Sequence, residues 1–355
     1  MSNVLAIDVG YGHVKWVSIN SNGETKKGMF PSVAAITTRD RSGESNGMTG
    51  LRTVTVNVGD HNYVVGRDAY LETDAHFSRT RLSDYSQTNG YRALMLGAMV
   101  ISGMREIDQL VIGLPLSTMA SYHEVLKEQY KGEHLVGAAN AKRKNAITVE
   151  NVTVTSQPAG AILHAASVDE TLRKKTSLVI DVGYFTVDYL MCQGLRPYYA
   201  RSGAVEGGMS SYYDHLGGAV VEQMAKEDFG KKSGVDHFLL EKALTEGVRL
   251  EDGSMKYTLM VGNRALDISG SVMKSKIKIA GYLDRIVTGM GSNSFDMINS
   301  IILAGGGGAF LKNELKERLG KSHELIELSQ GQFAIAQGYA ALGVVSANKR
   351  LGVVA

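Results

Sequence analysis

The hydrophobic pattern of the chain contains one arrangement that occurs twice. Residues 5–15 and residues 178–188 each hold an apolar run, then Asp-Val-Gly-Tyr, then a second apolar run. This order is typical of two strands joined by a tight, glycine-containing turn. The two aspartates, Asp8 and Asp181, lie 173 positions apart (181 − 8), about half the chain. The pattern therefore predicts two β-hairpins in a duplicated chain and does not indicate a short-period repeat.

Strand-like and helix-like segments alternate through the rest of the chain. Short apolar runs predict strands, and apolar residues at helical spacing predict helices. Beyond the hairpins, strands are predicted in residues 30–36, 54–58, 62–66, 109–115, 146–155, 257–268 and 300–304. Helices are predicted in residues 91–103, 117–130, 227–255, 270–292, 310–320 and 333–345. Two further helices are predicted, one that begins at residue 157 and one in the later part of residues 201–226. Residues 21–29 read as a polar turn and 38–50 as a mobile surface loop, so the chain is predicted to be α/β with two halves.

Composition narrows the class of protein. The 355 residues are 44% hydrophobic and 21% charged, enough for two domains with a sizeable core. The net charge of +2 gives no support to strong direct binding of nucleic acid. The single cysteine, Cys192, fits a reducing compartment, and neither a signal peptide nor a membrane span is evident. These features predict a cytoplasmic protein without direct membrane contact.

The two turns combine a carboxylate with a glycine. Glycine lets the backbone adopt left-handed angles and lets a ligand approach closely, and consecutive N–H groups in such a turn form an anion-binding nest. A carboxylate at the end of a strand is able to hold a hydrated Mg²⁺, which keeps most of its own waters. Asp8 with Gly10, and Asp181 with Gly183, therefore predict two hairpins that hold a polyphosphate from both sides.

Two further features have a functional and a plain structural interpretation. Four glycines, residues 305–308, follow an apolar strand and would let the backbone lie against a base, ribose or phosphate. The alternative is an ordinary strand-to-helix turn. Lys15, on the second strand of the first hairpin, is able to reach a phosphate as a point charge. The alternative is a solvated lysine on a strand edge.

Gln157 and Asp188 are further candidates for chemistry. Gln157 precedes Pro158 at a predicted helix start, where a glutamine is able to orient an attacking water but does not readily take its proton. The alternative is a helix-start residue without chemistry. Asp188 lies in the returning strand of the second hairpin, where a buried acid suggests a role near a metal. The alternative is an outward-facing residue.

Other common sites are not supported by the sequence. The histidines, His13 among them, lack metal-binding spacing, and there is no cysteine cluster. Leu315 stands where a P-loop ending at Gly320-Lys321-Ser322 would need its first glycine, which excludes that motif. No Gly-x-Ser-x-Gly elbow is evident.

Together these motifs resemble the actin/sugar-kinase/heat-shock-chaperone superfamily. Two Asp-x-Gly hairpins, a helix that begins with Gln-Pro, and a late Ala-Gly-Gly-Gly turn occur in the order of that family over nearly the whole chain. Within it, residues 30–32, 63–69 and 111–115 are similar to pieces of the ParM/StbA group of plasmid-segregation actins. The resemblance implies two actin-like, ribonuclease H-like α/β domains with a nucleotide cleft between them.

The resemblance also implies a division of the chain. Domain I would cover residues 1–165, with a small subdomain inserted at about 32–90. Domain II would cover residues 166–355, with an insertion at about 220–285. Its final helix, at about 333–345, would pack back toward domain I.

Site residues follow from the same resemblance. Asp8, Asp181 and Gln157 would be catalytic, and Asp8, Asp181 and Asp188 would hold the metal, through water. Tyr184 and Phe185 depart from the smaller residues common in the second loop. The adenine pocket would use a helix near residues 241–249. The residues implied to contact the nucleotide are Gly10, Tyr11, Gly12, His13, Lys15, Gly183, Tyr184, Phe185, Thr186, Gly305, Gly306 and Gly307.

The implied activity is that of an actin-like ATPase that forms nucleotide-dependent filaments for plasmid or DNA segregation. ATP or GTP with Mg²⁺ would bind in the cleft, and the partners would be other copies of the chain, head to tail, and a DNA-binding adaptor. A bacterial, archaeal, phage or plasmid origin is implied. The alternatives are a nonpolymerising nucleotide-binding regulator and a small-metabolite kinase of the same superfamily.

Overall fold

The computed structural model describes residues 2–38, 51–73, 84–230, 232–308, 312–313, 316–317, 323–350 and 352. The predicted loop at 38–50 therefore lies almost wholly outside the described residues, and most of the predicted helix at 310–320 does too.

The described chain is a mixed α/β structure. Its strands are β1 Val4–Val9, β2 His13–Ile19, β3 Thr25–Pro31, β4 Ala35–Thr37, β5 Thr53–Val58, β6 His61–Gly66, β7 Glu106–Ile107, β8 Gln109–Leu114, β9 Gly132–Val136, β10 Asn145–Val149, β11 Val152–Ser156, β12 Thr176–Val182, β13 Thr186–Gln193, β14 Arg196–Pro197, β15 Gly203–Glu206, β16 Val248–Arg249, β17 Met255–Lys256, β18 Thr258–Val261, β19 Arg264–Asp267, β20 Ser300–Ala304 and β21 Glu324–Glu327. Its helices are α1 Asn89–Ser102, α2 Leu116–Tyr130, α3 Gln157–Val168, α4 Gly208–Lys226, α5 His237–Thr245, α6 Ser269–Met290 and α7 Ala334–Arg350.

Two sheets of the same topology form the framework. The first has the order β3-β2-β1-β8-β11, and the second has the order β14-β13-β12-β20-β21, with β15 also paired to β13. In each sheet an antiparallel hairpin is followed by two strands parallel to its first strand. The duplication visible in the hydrophobic pattern thus recurs as a duplicated topology, and the predicted α/β fold class is confirmed.

The alternation of side chains along β1 decides where its aspartate points. Successive residues of a strand face opposite sides of a sheet. Leu5 and Ile7 pack in the core beneath α1, whereas Ala6 packs in a second core with α3 and α7. Asp8 therefore belongs to the face of Ala6, which is covered by α3 and α7.

The helices α3 and α7 connect the two sheets. A single buried cluster contains Ala6 and Val111 from the first sheet, Val179 and Ile302 from the second, and residues of both helices. The helix α7 packs along α3 and also touches β1, β2 and β8. The predicted final helix thus lies against the first sheet, although it follows the second in the chain.

Smaller sheets surround this framework. Strands β4, β6 and β5 form one sheet, β7, β10 and β9 another, and β16–β17 and β18–β19 are separate hairpins. The first of these lies within the predicted insertion at 32–90, and both hairpins lie within that at 220–285. The division of the chain at residue 165 falls inside α3, which contacts both sheets, and it stays a prediction.

Two local predictions were wrong, and some short strands were missed. The polar segment 21–29 contains most of β3, which is polar because it is the edge strand of its sheet and is largely exposed. In the segment 227–255 only α5 is helical among the described residues, and β16 and β17 form a hairpin there. Strands β9 and β21 were missed, because they are short and half-exposed and lack a continuous apolar run.

No helix in the described residues is long and apolar enough to cross a membrane.

Candidate functional site

The two acidic turns lie next to each other between the halves. A Cβ placed on Gly12, in the first turn, would be 3.1 Å from Cβ of Tyr184, in the second. Both turns contain the same hydrogen bond, from the glycine N–H to the carbonyl three residues later: Gly10 to His13 at 3.2 Å and Gly183 to Thr186 at 2.9 Å. The repeated sequence thus forms a repeated turn.

The second turn is held by the start of α4. The N–H groups of Gly207, Met209 and Ser210 donate to the carbonyls of Phe185, Gly183 and Tyr184, at 2.8, 3.0 and 2.7 Å. These bonds use N–H groups that a helix start leaves without an intrahelical partner.

A left-handed glycine makes this close approach possible. Gly208 has φ +43°, and a Cβ there would lie 2.6 Å from the Gly183 carbonyl. Because C=O and N–H of a trans peptide point in opposite directions, the N–H groups that follow the Gly183 and Tyr184 carbonyls point away from α4.

The first turn is held in a similar way by Ser32. Its hydroxyl donates to the Gly10 carbonyl at 2.5 Å, and its N–H donates to the Gly12 carbonyl at 2.9 Å. Ser32 belongs to the Phe-Pro-Ser segment that the sequence comparison with the ParM/StbA group singled out. The structure assigns that segment a physical role, the support of the first turn.

Asp8 is the centre of a buried polar group in the first half. Its side chain accepts hydrogen bonds from Lys15 Nζ at 3.1 Å and from Gln157 Nε2 at 3.2 Å. Lys15 faces Asp8 across the hairpin, and its side chain is 14% exposed. Lys15 is therefore not a solvated lysine on a strand edge. Gln157, at the start of α3, has a polar partner in Asp8.

Asp181 and Asp188 form a second acidic pair, opposite each other in the hairpin β12–β13. Asp188 is 1% exposed, which excludes the outward-facing alternative. It accepts hydrogen bonds from the Thr186 hydroxyl at 2.7 Å and from the Leu116 N–H at 3.3 Å. Since Leu116 is the first residue of α2, Asp188 joins the second hairpin to a helix start in the first half, where a negative charge is favourable.

Burial makes both acids reluctant to ionise, and at Asp181 repulsion from other carboxylates adds to the effect. Burial raises the pKa of Asp181 to about 8, with the charges of Asp188 and Asp8 adding to the effect and Lys15 opposing it. Burial raises the pKa of Asp188 to about 6, opposed by its bonds from Thr186 and Leu116. A cation placed among these carboxylates would relieve the repulsion.

The raised pKa values predict a pH-dependent stability. In the unfolded chain both acids titrate near the ordinary value of about 4. The folded protein holds more protons above that pH, so its free energy of unfolding falls as the pH rises through about 6 and about 8. We expect the Tm of the nucleotide-free protein to decrease between about pH 5 and about pH 9.

The matched variant for this measurement is Asp181→Asn, which keeps the shape of the side chain and removes its titration. We expect its Tm to decrease less steeply over the upper part of the same pH range. Equal slopes in the wild type and the variant would show that Asp181 is not responsible.

The third glycine element contacts the second turn. Gly305 has φ +77°, and a Cβ there would overlap Asp181 Oδ1 and lie 2.5 Å from the Val182 carbonyl. Gly307 donates to that carbonyl at 3.1 Å, and a Cβ on it would lie 2.5 Å from Val182 Cγ1. Gly306 has nothing within 4 Å of its Cβ position. Packing therefore explains the glycines at 305 and 307, whereas 306 faces open space.

This difference predicts unequal effects of two similar substitutions. Gly305→Ala should lower the free energy of unfolding by about 1–3 kcal/mol, because it adds backbone strain and a clash with Asp181. Gly306→Ala should change it by less than about 0.5 kcal/mol. Urea denaturation of both variants measures this, and equal losses would contradict the assignment.

Aromatic side chains fill the space around the turns. The Tyr11 ring stacks on Tyr85 at 4.7 Å and meets Phe185, from the other half, at 5.0 Å between ring centroids. Burial raises the pKa of Tyr11 to about 12, with the Asp188, Asp84 and Glu206 charges adding to the effect. Tyr11 and Phe185 thus form an aromatic contact between the halves.

Two histidines tie the turns to the helix α5. The Tyr184 hydroxyl bonds to His237 Nδ1 at 2.7 Å, and His237 Nε2 lies 3.0 Å from Asp214 Oδ1. His13 Nδ1, after the first turn, lies 3.5 Å from Glu241 Oε1. The predicted position of the adenine-pocket helix, 241–249, overlaps the last turns of α5 and then continues into β16.

A small cavity lies beside Gln157. Its volume is about 10 Å³, and Tyr11, Tyr91, Gly113 and Thr118 are among its lining residues. This is about the space that one water needs, and polar groups line it. The side chain of Gln157 is therefore next to a site that fits a single water.

The structure thus brings most of the predicted site residues together at the junction of the halves. Thr186 is used as a donor to Asp188, and Gly305 and Gly307 pack on the second turn. Sequence reasoning missed Ser32, Leu116 and the start of α4. The adjacent glycines at 207 and 208 were a usable signal for the last of these, since they mark a close backbone approach.

Two family comparisons match the chain in sequence. Residues 6–160 match the N-terminal domain of the actin-like proteins, and residues 179–317 match the C-terminal domain of the archaeal MreB-like actin homologues. No curated relative matches the chain.

Several solved structures share the fold over almost the whole chain. The archaeal actin homologue Ta0583 aligns with TM-score 0.72 and 21% identity, covering 97% of this chain and 100% of its own. A ParM from Clostridium botulinum, solved as a 15-stranded filament, aligns with the same TM-score and identity, covering 97% and 99%. Bacillus thuringiensis ParM with ATP aligns with TM-score 0.66 and 16% identity, covering 97% and 99%.

The paired acidic turns, the duplicated sheet topology and the two matching domain families lead to one assignment. This chain belongs to the actin-like superfamily.

Proposed function

We propose that the protein is an actin-like nucleoside triphosphatase that assembles head to tail into filaments. The single observation that carries the proposal is the meeting of Asp8, Lys15 and Gln157 from one half with Asp181 and Asp188 from the other. Carboxylates for a metal, a cation for phosphate and an amide for water are the parts that phosphoryl transfer to water needs.

The residues present fit a hydrated Mg²⁺. Among the described residues no three His, Cys, Asp or Glu side chains come together as a direct ligand set. Mg²⁺ keeps several waters and is commonly held by one or two carboxylates and by the substrate phosphates. Asp8, Asp181 and Asp188 would hold it through those waters, and their repulsion, seen in the raised pKa of Asp181, favours a cation there. When bound, the metal supplies charge neutralisation of the phosphates.

The protein's own groups would act by positioning. Lys15 lies close to the first turn, since a Cβ on Gly10 would be 3.3 Å from its Nζ. From there it would exchange its bond to Asp8 for a phosphate oxygen, and backbone N–H groups of both turns would bind further phosphate oxygens. Gln157, oriented by Asp8, would align a water in the adjoining cavity.

We propose ATP as the nucleotide and GTP as the competing outcome. The archaeal actin homologue was solved in complex with ADP and Bacillus thuringiensis ParM with ATP. Calorimetric titration of this chain with ATP and with GTP tests the choice between the two nucleotides.

Nucleotide binding would change the relation of the halves. Gly12 and Tyr184 are almost in contact, so phosphates between the turns require the turns to separate. A change in the angle between two halves is able to alter a head-to-tail contact, and such a contact does not close on itself, so it grows a filament. Filament stability would then depend on the nucleotide.

Plasmid or other DNA segregation is the proposed use of the filament. The support is the similarity to ParM structures, including the filament from Clostridium botulinum. The net charge of +2 favours DNA contact through a separate adaptor. The proposal therefore includes a DNA-binding adaptor protein and a plasmid or other DNA as the cargo.

Pelleting and light scattering, with ATP, GTP, ADP or no nucleotide, test the proposal together with phosphate release. Scattering that needs a triphosphate, followed by phosphate release, supports a filament-forming triphosphatase. Release without scattering at high protein concentration favours the nonpolymerising regulator. Phosphate transfer to a small metabolite favours the kinase. The control is Asp181→Ala, which should neither hydrolyse the nucleotide nor scatter in response to it.

A further inference from the structure

We propose that Tyr339, on the final helix, is a positioning residue of the Asp8 centre. Its hydroxyl lies on the same face of the first sheet as Asp8 and donates a hydrogen bond to that carboxylate through one buried water. The catalytic meaning of this contact rests on the proposed function, whereas the contact itself does not.

The strand β8 lacks a side chain at the position that the hydroxyl occupies. A Cβ built on Gly113 would overlap Tyr339 Oη and lie 2.5 Å from Cζ. Gly113 is the only glycine in β8. The Tyr339 hydroxyl, which comes from α7, therefore occupies the space that a side chain at position 113 would fill.

The register of the sheet puts this position beside Asp8. Strands β1 and β8 are parallel, and Ile7 pairs with Ile112. Continuing this register by one residue places Asp8 beside Gly113, and paired residues of neighbouring strands face the same side. Since neighbouring strands lie about 4.8 Å apart, a hydroxyl at the Cβ position of Gly113 is close enough to the Asp8 carboxylate for one water to bridge them.

The helix α3, which begins at Gln157, holds the ring in this place. A Cβ on Gly160 of α3 would lie 2.7 Å from Tyr339 Cε1, so a larger residue there would displace the ring. Gly160 lies three residues after Gln157, on the same side of α3. Gly338 packs equally closely, since a Cβ there would overlap the Gly160 carbonyl. Three glycines thus allow the tyrosine between β8 and α3.

The hydroxyl has no hydrogen-bond partner within the described part of the chain, although Tyr339 is 0% exposed. A buried hydroxyl without a partner is costly, so a water or a neighbouring acceptor is expected. Asp8 is a suitable acceptor. Each of its oxygens takes one bond, from Gln157 or Lys15, and a carboxylate accepts about four.

The electrostatic environment of the Tyr339 hydroxyl favours its role as a hydrogen-bond donor. Burial raises the pKa of Tyr339 well above its ordinary value, and the charges of Asp8, Asp181 and Asp188 and the nearby Tyr91 add to the effect. The Tyr339 hydroxyl therefore remains protonated and has a hydrogen to donate. The final helix, by this contact, takes part in holding Asp8 and through it Gln157.

The first test is a high-resolution crystal structure of the nucleotide-free protein and of Tyr339→Phe. We expect a hydrogen bond from Tyr339 Oη to an Asp8 carboxylate oxygen through one bound water, and a displaced Asp8 carboxylate in the variant. Absence of that hydrogen bond, or an unmoved Asp8 in the variant, overturns the proposal.

The second test is the kinetics of triphosphate hydrolysis, with Tyr130→Phe as the matched control. Tyr130 is also fully buried, with a hydroxyl that lacks a hydrogen-bond partner among the described residues, and no carboxylate contributes to its raised pKa. We expect Tyr339→Phe to lower kcat about tenfold with little change in KM, and Tyr130→Phe to leave both unchanged. Equal kcat values for the two variants overturn the proposal.

The two tests separate this inference from the proposed function. A wild-type protein that hydrolyses no triphosphate would contradict the proposed function. The crystallographic comparison would then still decide whether Tyr339 holds Asp8.

Discussion

Replacement of Asp181 by alanine should abolish nucleotide hydrolysis and weaken the binding of the magnesium complex of the nucleotide. Asp181 is buried in the second turn, and burial raises its pKa to about 8, with repulsion from Asp188 and Asp8 adding to the effect. That unfavourable interaction becomes favourable when a cation is bound among the three acids. Loss of the carboxylate therefore removes a partner of the metal, and we expect hydrolysis to fall by at least about a thousandfold.

Phosphate release under saturating nucleotide and Mg²⁺, together with calorimetric titration of the nucleotide, measures both effects. Asp181→Asn separates charge from shape and should be almost as inactive as the alanine variant. Asp252→Ala, which removes an exposed acid from the loop between β16 and β17, should behave as the wild type. Full turnover in Asp181→Ala would refute the assigned role.

Replacement of Gln157 by alanine should slow hydrolysis about a hundredfold while nucleotide binding remains nearly intact. Gln157 donates to Asp8 at 3.2 Å and lines the cavity that has room for about one water. Its proposed task is to orient that water, which matters in the transition state and little in the bound ground state. The loss is therefore expected in kcat.

Single-turnover hydrolysis and equilibrium binding of a fluorescent nucleotide separate the two effects. The control is Gln223→Ala, since Gln223 lies near the other end of α4 and hydrogen-bonds to Glu227 and Ser271. A large loss of nucleotide affinity in Gln157→Ala, with hydrolysis of the bound nucleotide unchanged, would show that the residue is structural.

The fold was predictable because its strongest signals are local. Each hairpin combines two apolar strands with a Gly-containing turn, and the second sheet repeats the order of the first. The resemblance to the actin superfamily, drawn from the same turns, is confirmed by the two family matches. The edge strand β3 was missed because it lacks such a local signal. Its polar residues show no alternating pattern, and they form a strand only because they pair with β2.

The bulk of Tyr184 shows how a departure from a family pattern acquires a physical reason. From sequence alone, the bulk of Tyr184 is only a departure from the smaller residues common in the second loop of the superfamily. In the structure the ring packs in the core of the second half, and its hydroxyl reaches His237 on α5. Tyr184 thus anchors the turn through its side chain, and a role in phosphate contact, which stays a prediction, would fall to its backbone.

Local patterns were sufficient to predict the two hairpins, their acidic turns and most of the long helices and buried strands, because apolar spacing and turn residues act over a few positions. Which side chains meet in the site follows from the packing of the sheets and helices. Gln157 reaches Asp8 across 149 positions, and Leu116 reaches Asp188 across 72. Such contacts depend on how the two sheets pack around α3 and α7, and no local pattern encodes that packing.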